Sequence, residues 1–127
     1  MLDRLNRPGV QFVFELPKPI FPTPLFRCSD WFNRNNPACD RGTEMDRATL
    51  ERHREPVLAF AGKLQGKFAN LTTWDPFPLL CPEKDCSMLK DGKPLFFDAD
   101  HVSGTANRLL LADFMRKMAE LGVRQAE

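Results

Sequence analysis

The stretch PLFFDADHVSGTANRLLLADFM, residues 94–115, decides how the chain folds. Leu95, Phe96 and Phe97 predict a short strand. Two acids and a histidine then form a sharp turn, and Ser103 opens a helical pattern as its N-cap. Leu109, Ala112, Phe114, Met115, Met118 and Leu121 supply the apolar side of that helix, and Gly122 ends it. A strand, a polar turn and a helix in this order belong to an open α/β sheet. Such sheets bind ligands beyond the carboxyl ends of their strands.

Upstream, VQFVFELP (residues 10–17) predicts a largely buried strand, and four prolines at 17, 19, 22 and 24 force an extended segment after it. Residues 26–42 predict an irregular excursion. TEMDRATLERHREPVLAFAGKLQG (residues 43–66) predicts the longest helix, with Leu50, Val57, Leu58, Ala61 and Leu64 on one face. Thr43 is its expected N-cap and Asp46 sits at N3. Pro56 should kink it or divide it, and Gly66 should end it. KFANLTTWD (residues 67–75) predicts a second strand, and residues 76–94 a loop with a turn at DGKP. MLDRLN, at the start, has the pattern of a helix end. Strands alternate with helices, but two proper strands make a poor sheet. The expectation is therefore an α/β fold with a parallel sheet whose N-terminal half is missing, residues 1–127 forming the C-terminal portion of a single domain.

The bulk numbers remove several function classes. Net charge is +1, so nothing argues for a nucleic-acid partner. No apolar run approaches the roughly 20 residues of a membrane span, and the start lacks the apolar core of a signal peptide. The four cysteines fall as two local pairs, Cys28 with Cys39 and Cys81 with Cys86. That pairing is one of three connectivities. Two disulfides are the preferred reading, with free thiols or zinc as alternatives; CPEKDC just fits zinc spacing and CSDWFNRNNPAC does not. Disulfides imply an oxidising compartment, which a chain without its own export signal leaves to be explained.

Asp98 and His101 carry the chemistry. An imidazole is the commonest general base near neutral pH, and a carboxylate fixes its tautomer and stabilises its charged form. Three residues apart across a turn, the two can share a hydrogen bond. The plain structural alternative is a polar turn before a helix. A metal site from Asp98, Asp100 and His101 lacks a further ligand cluster. The other histidine, His53, lies in the charged segment ERHRE and reads as a solvated surface residue.

The residues DPFPLLCPEKDCSMLKDGKPLFFDADHVSGTANRLL resemble the end of the SGNH domain fused to acyltransferase family three membrane proteins. The resemblance lies in an acid and proline after a strand, a leucine–cysteine pair with a second cysteine nearby, an aromatic strand, D-x-x-H and a serine-capped helix. VQFVFELPKPIFPTPLFRC is similar to that family's strand, proline-rich loop and first cysteine. The resemblance implies a flavodoxin-like three-layer α/β/α fold, no cofactor and no metal. It implies His101 as general base and Asp98 as its orienting partner. It also implies transfer of acyl groups, most often acetyl, to envelope glycans such as lipopolysaccharide. The implied partners are a glycan acceptor, a membrane acyltransferase domain and the missing N-terminal half, at the periplasmic face of a bacterial inner membrane.

The sequence departs from the family in one large respect. It has no G-D-S nucleophile motif and no upstream G-x-N-D. Its serines are Ser29, Ser87 and Ser103, and none follows a strand in the strand–turn–helix setting a nucleophile needs. The chain alone is thus expected to be inactive. The alternative is a disulfide-stabilised glycan-binding or assembly module with a degenerate site, and a small zinc protein is the third reading.

Overall fold

A computed structural model gives the fold; it describes residues 8–22, 25–28, 30–33, 35–37 and 42–122. MLDRLN, Ser29 and Cys39 lie outside the described residues. Two strands, β1 (Phe12–Glu15) and β3 (Leu71–Trp74), pair in parallel with Phe12 opposite Leu71 and Glu15 opposite Trp74. Alternation of side chains along each strand divides them between two faces. Phe12 and Phe14 pack with Leu64, Phe68 and Leu71, on the side of helix α2 (Arg47–Lys67). On the other face Trp74 meets Phe114 of helix α4 (Gly104–Glu120) edge-on, their ring centroids 4.9 Å apart. The chain is a small α/β unit with a short parallel sheet and helices. Two strands do not define the strand order of a flavodoxin-like sheet.

Helix α2 differs from its sequence expectation at both ends. Asp46, not Thr43, is the N-cap: its carboxylate accepts from the Thr49 N–H at 2.9 Å. Residues 44–46 instead form a short strand, β2 (Glu44–Asp46), antiparallel to β4 (Asp85–Ser87). That ladder satisfies backbone groups that the helix could not use. Gly66 lies inside the helix and Phe68 is its C-cap, with its N–H bonded to the Leu64 carbonyl. Pro56 is enclosed in one continuous helix rather than marking a junction. The buried stripe is Leu50, Arg54, Ala61 and Leu64, while Val57 is exposed and Leu58 only half-buried.

Residues 76–94 are more ordered than a loop. Helix α3 (Phe77–Leu80), strand β4 and the hairpin β5 (Leu89–Lys90) to β6 (Lys93–Pro94) fill them. Asp91 and Gly92 both have positive φ, 50° and 71°, as a two-residue hairpin turn that matches strand twist requires. Phe77, Leu80, Cys81, Cys86, Met88 and Phe96 are buried in the main core, with Phe21, Leu50, Leu110 and Leu25 of the one-turn helix α1 (Leu25–Cys28) packed among them. Each large side chain buried there contributes about 2–3 kcal/mol. A disulfide joins Cys81 to Cys86 within this core. Cys28 is also disulfide-bonded; its expected partner Cys39 lies outside the described residues.

The segment Leu95–Phe97 does not add a strand to the parallel sheet. It makes a single antiparallel bridge, Phe96 with Val102. The apolar character that predicted a strand is used for burial: Leu95 and Phe96 are core residues. Helix α4 begins and ends close to expectation, with Ser103 as N-cap and Gly122 at φ 76° after it. Ala106 and Leu110 are its buried positions, and Ala112 is exposed.

Candidate active site

The Asp98–His101 turn is a small loop with a closed neck. Below it the Phe96–Val102 bridge joins its two arms. The Phe97 N–H donates to the His101 carbonyl at 2.7 Å, and the Ser103 N–H to the Leu95 carbonyl at 2.8 Å. From the side, the Phe21 N–H donates to the Ala99 carbonyl at 2.9 Å, so the proline-rich segment after β1 braces the loop.

Inside the loop Asp98 does two jobs. Its Oδ1 accepts the backbone N–H groups of Asp100 at 3.0 Å and His101 at 2.7 Å, the Asx-type geometry that favours aspartate in turns. Its Oδ2 lies 2.8 Å from His101 Nδ1. The two backbone donors, with His101 itself, hold the Asp98 carboxyl well below the usual carboxylate range. His101 is pushed up from its ordinary value, first by the hydrogen bond to Asp98, then by the charges of Asp98 and Asp100. Asp100 Oδ1 stands 3.2 Å from the same Nδ1. With Nδ1 donating to a carboxylate, the neutral imidazole keeps its basic lone pair on Nε2. The side chain is 75% exposed, so Nε2 chemistry is open to a partner or substrate. The arrangement can orient an imidazole, accept a proton and stabilise the resulting cation.

The remaining candidates fall elsewhere. The Ser103 hydroxyl accepts the Thr105 and Ala106 N–H groups at 3.1 and 3.3 Å and donates to the Pro94 carbonyl at 2.6 Å. It is a cap committed on all sides. Ser87 accepts the Leu89 N–H at 3.1 Å within the β4–β5 connection. His53 is exposed on α2. The ligand atoms of Asp98, Asp100 and His101 lie within 4.8 Å of one another, so these three could approach one cation. The bonds inside the turn already account for their closeness.

Two cavities flank the turn. One, of about 380 Å³, is bounded by Glu15, Lys18, Trp74, Val102, Leu111 and Phe114, at the carboxyl ends of β1 and β3. That is where ligand sites of open α/β sheets lie. The other, of about 440 Å³, touches Phe96, Phe97 and Ser103. Sequence reasoning passed over the role of Asp100 beside Nδ1 and the buried Arg54. Arg54 was legible as a cation in the apolar stripe of α2; the Asp100 approach depends on loop geometry that spacing does not specify.

A family model described as "SGNH domain (fused to AT3 domains)" matches residues 1–116. No curated protein and no solved structure matches the chain. The resemblance drawn from the residues holds, and the chain belongs to this family of SGNH domains fused to AT3 domains.

Proposed function

We propose that this SGNH-family chain supplies the Asp-His half of a Ser-His-Asp acyl-transfer site, in an O-acyltransferase or esterase acting on envelope glycans. The observation that carries this is the preformed dyad: His101 Nδ1 at 2.8 Å from an Asp98 carboxylate that two backbone N–H groups fix in place. Fixing the carboxylate fixes the tautomer, and the tautomer puts the base at Nε2.

In the reaction a serine Oγ attacks the acyl carbonyl carbon while His101 Nε2 takes its proton. The proton then passes to the departing group as the acyl–serine ester forms. A glycan hydroxyl, deprotonated by the same Nε2, attacks the ester; the acyl group moves to the glycan oxygen and the proton returns to serine. The serine and its oxyanion donors are then supplied by polypeptide outside residues 1–127. No helix among the described residues is long and apolar enough to cross a membrane. The membrane context belongs to the fused AT3 domain, with this domain on the periplasmic side. The group transferred is acetyl.

The test is the reading frame upstream of the Met1 codon, followed by assay of the longer polypeptide on an activated acetyl ester. An in-frame strand with G-D-S, and activity lost on His101→Ala, supports the proposal. Robust turnover by the 127-residue chain alone, or an upstream stop codon with no such motif, overturns it.

A further inference from the structure

A smaller cavity, of about 170 Å³, lies between the proline-rich segment after β1 and helix α2, and the acid–base chemistry makes no use of it. Pro17, Ile20, Leu50 and Val57 give it apolar walls, and Lys18, His53 and Arg54 give it three basic side chains. No acidic side chain lines it among the described residues. Its helical wall has a simple origin. Leu50, His53, Arg54 and Val57 follow the i, i+3, i+4, i+7 spacing that puts side chains on one face of a helix.

Arg54 is the fixed point of this wall. Its side chain is buried, its Nη2 is held by Asp75 at 2.7 Å, and its guanidinium lies over the Phe77 ring. Its Nε is buried too, and that N–H has no acceptor among the described residues. Buried donors in folded proteins are nearly always paired, so an orphan beside a cavity points to an acceptor that the fold itself does not supply. The other two basic groups can turn to meet one. Lys18 is bonded to Glu15 at 2.8 Å in a half-exposed pair, of a kind that holds a side chain only weakly. His53 makes no ion pair among the described residues, and in either tautomer it offers a ring N–H.

Three donors over apolar walls fit an anion with a short apolar body. Glu15 and Asp75 already answer Lys18 and Arg54, so the surplus of positive charge suits one negative charge better than the two of a phosphate. An apolar cavity of about 150 Å³ holds benzene, so this one takes a molecule of roughly six or seven heavy atoms. An uncharged apolar molecule of that size would strip water from the basic groups and give them no acceptor in return.

We propose that this cavity binds a short-chain aliphatic carboxylate, with the carboxylate among Lys18, His53 and Arg54 and the chain against Ile20, Leu50 and Val57. The proposal does not depend on the acyl-transfer reading, and either can fail alone. The segment that forms one wall also braces the catalytic loop, through the Phe21 N–H to the Ala99 carbonyl, so an occupied cavity would tie α2 to that brace.

The test is a ¹H–¹⁵N NMR titration of the chain with sodium pentanoate, with pentanamide as its uncharged counterpart and acetate as the carboxylate without the chain. The Trp74 indole N–H, held by Asp113 at 2.8 Å, serves as internal reference and as a check that each variant is folded. The expected result is saturable movement of the Ile20 and Val57 amides and of the His53 ring at millimolar pentanoate, with Trp74 still. Pentanamide and acetate each bind at least about tenfold more weakly, the first for want of charge and the second for want of apolar contact. Lys18→Met and His53→Gln each weaken pentanoate roughly two- to fivefold, the scale of one exposed charged contact. Val57→Asp, at an exposed position, brings a like charge to the wall and abolishes saturation, while Arg54 stays in place to hold the fold. No saturable shift with pentanoate overturns the site. So does equal affinity for pentanamide, or pentanoate binding unchanged when Lys18→Met and His53→Gln are combined.

Discussion

Two cation–carboxylate pairs in this molecule have nearly the same length and similarly exposed carboxylates, but one cation is buried and the other open to water. Arg54 Nη2 lies 2.7 Å from Asp75 Oδ1, and His101 Nδ1 lies 2.8 Å from Asp98 Oδ2. The Arg54 side chain is 5% exposed and its guanidinium lies 4.3 Å from the centre of the Phe77 ring. Asp75 Oδ1 also accepts the Phe77 N–H at 3.1 Å. That pair ties α2 to the end of β3 and to α3, inside a layer of aromatic cover. The His101 imidazole is 75% exposed and held by Asp98 and Asp100 of its own loop. Geometry alone does not separate a structural pair from a chemical one. Solvent access of the cation does: Asp75 at 36% and Asp98 at 34% are about equally exposed, but a buried guanidinium needs its carboxylate, whereas an exposed imidazole lets a proton come and go.

The largest expected effect is on the buried side. Asp75→Ala leaves the Arg54 guanidinium buried without its carboxylate and should cost about 3 kcal/mol in urea unfolding. A loss no greater than that of Asp98→Ala would break the contrast. Next comes the Cys81–Cys86 disulfide, whose short loop is worth about 2 kcal/mol in the chain-entropy model. Its replacement by serines, or its reduction, should lower the urea midpoint while leaving the His101 signal in place. Ser103→Ala removes the cap of α4 and the bond to Pro94, and should cost about 1 kcal/mol.

The smallest stability effect belongs to the exposed pair, and its signature is pH. His101 has a raised pKa in the fold, so its contribution is fully present below about pH 6.5 and fades as pH rises through the folded value. Asp98 has a depressed pKa, so its contribution is present above about pH 4 and fades as pH falls towards the folded value. The turn is therefore best held between those limits. Asp98→Asn should leave the unfolding midpoint at neutral pH nearly unchanged. In a longer polypeptide that carries the proposed serine, activity should rise with pH through the His101 pKa, because the base must be neutral. Asp98→Asn should lower the rate by about three to four orders of magnitude, the scale typical of Ser-His-Asp sites. A rate loss with no shift in the pH profile would separate positioning from titration.

The sequence showed the local geometry of the Asp98–His101 turn better than the architecture. Asp98, His101 and the Ser103 cap were legible because each acts over three residues of local geometry. Both long helices and both parallel strands were legible from their periods. The antiparallel ladders were not. The β2–β4 pairing joins residues some 40 apart, and neither partner alternates long enough to announce itself. Thr43 satisfied the local rule for a cap, yet the ladder drew residues 44–46 into a strand and moved the cap to Asp46. Leu95–Phe97 carried a strand composition, but their burial in the core, rather than sheet pairing, explains it. DGKP was read correctly as a turn, although the hairpin around it was not.

The most direct test of the central claim is the titration of the His101 ring, followed by NMR in His53→Gln chain so that one imidazole remains. A preformed dyad predicts a midpoint above 6.5, a neutral form protonated at Nδ1, and a fall of the midpoint on Asp98→Asn. The same midpoint with and without the Asp98 carboxylate, or a neutral form protonated at Nε2, would contradict it.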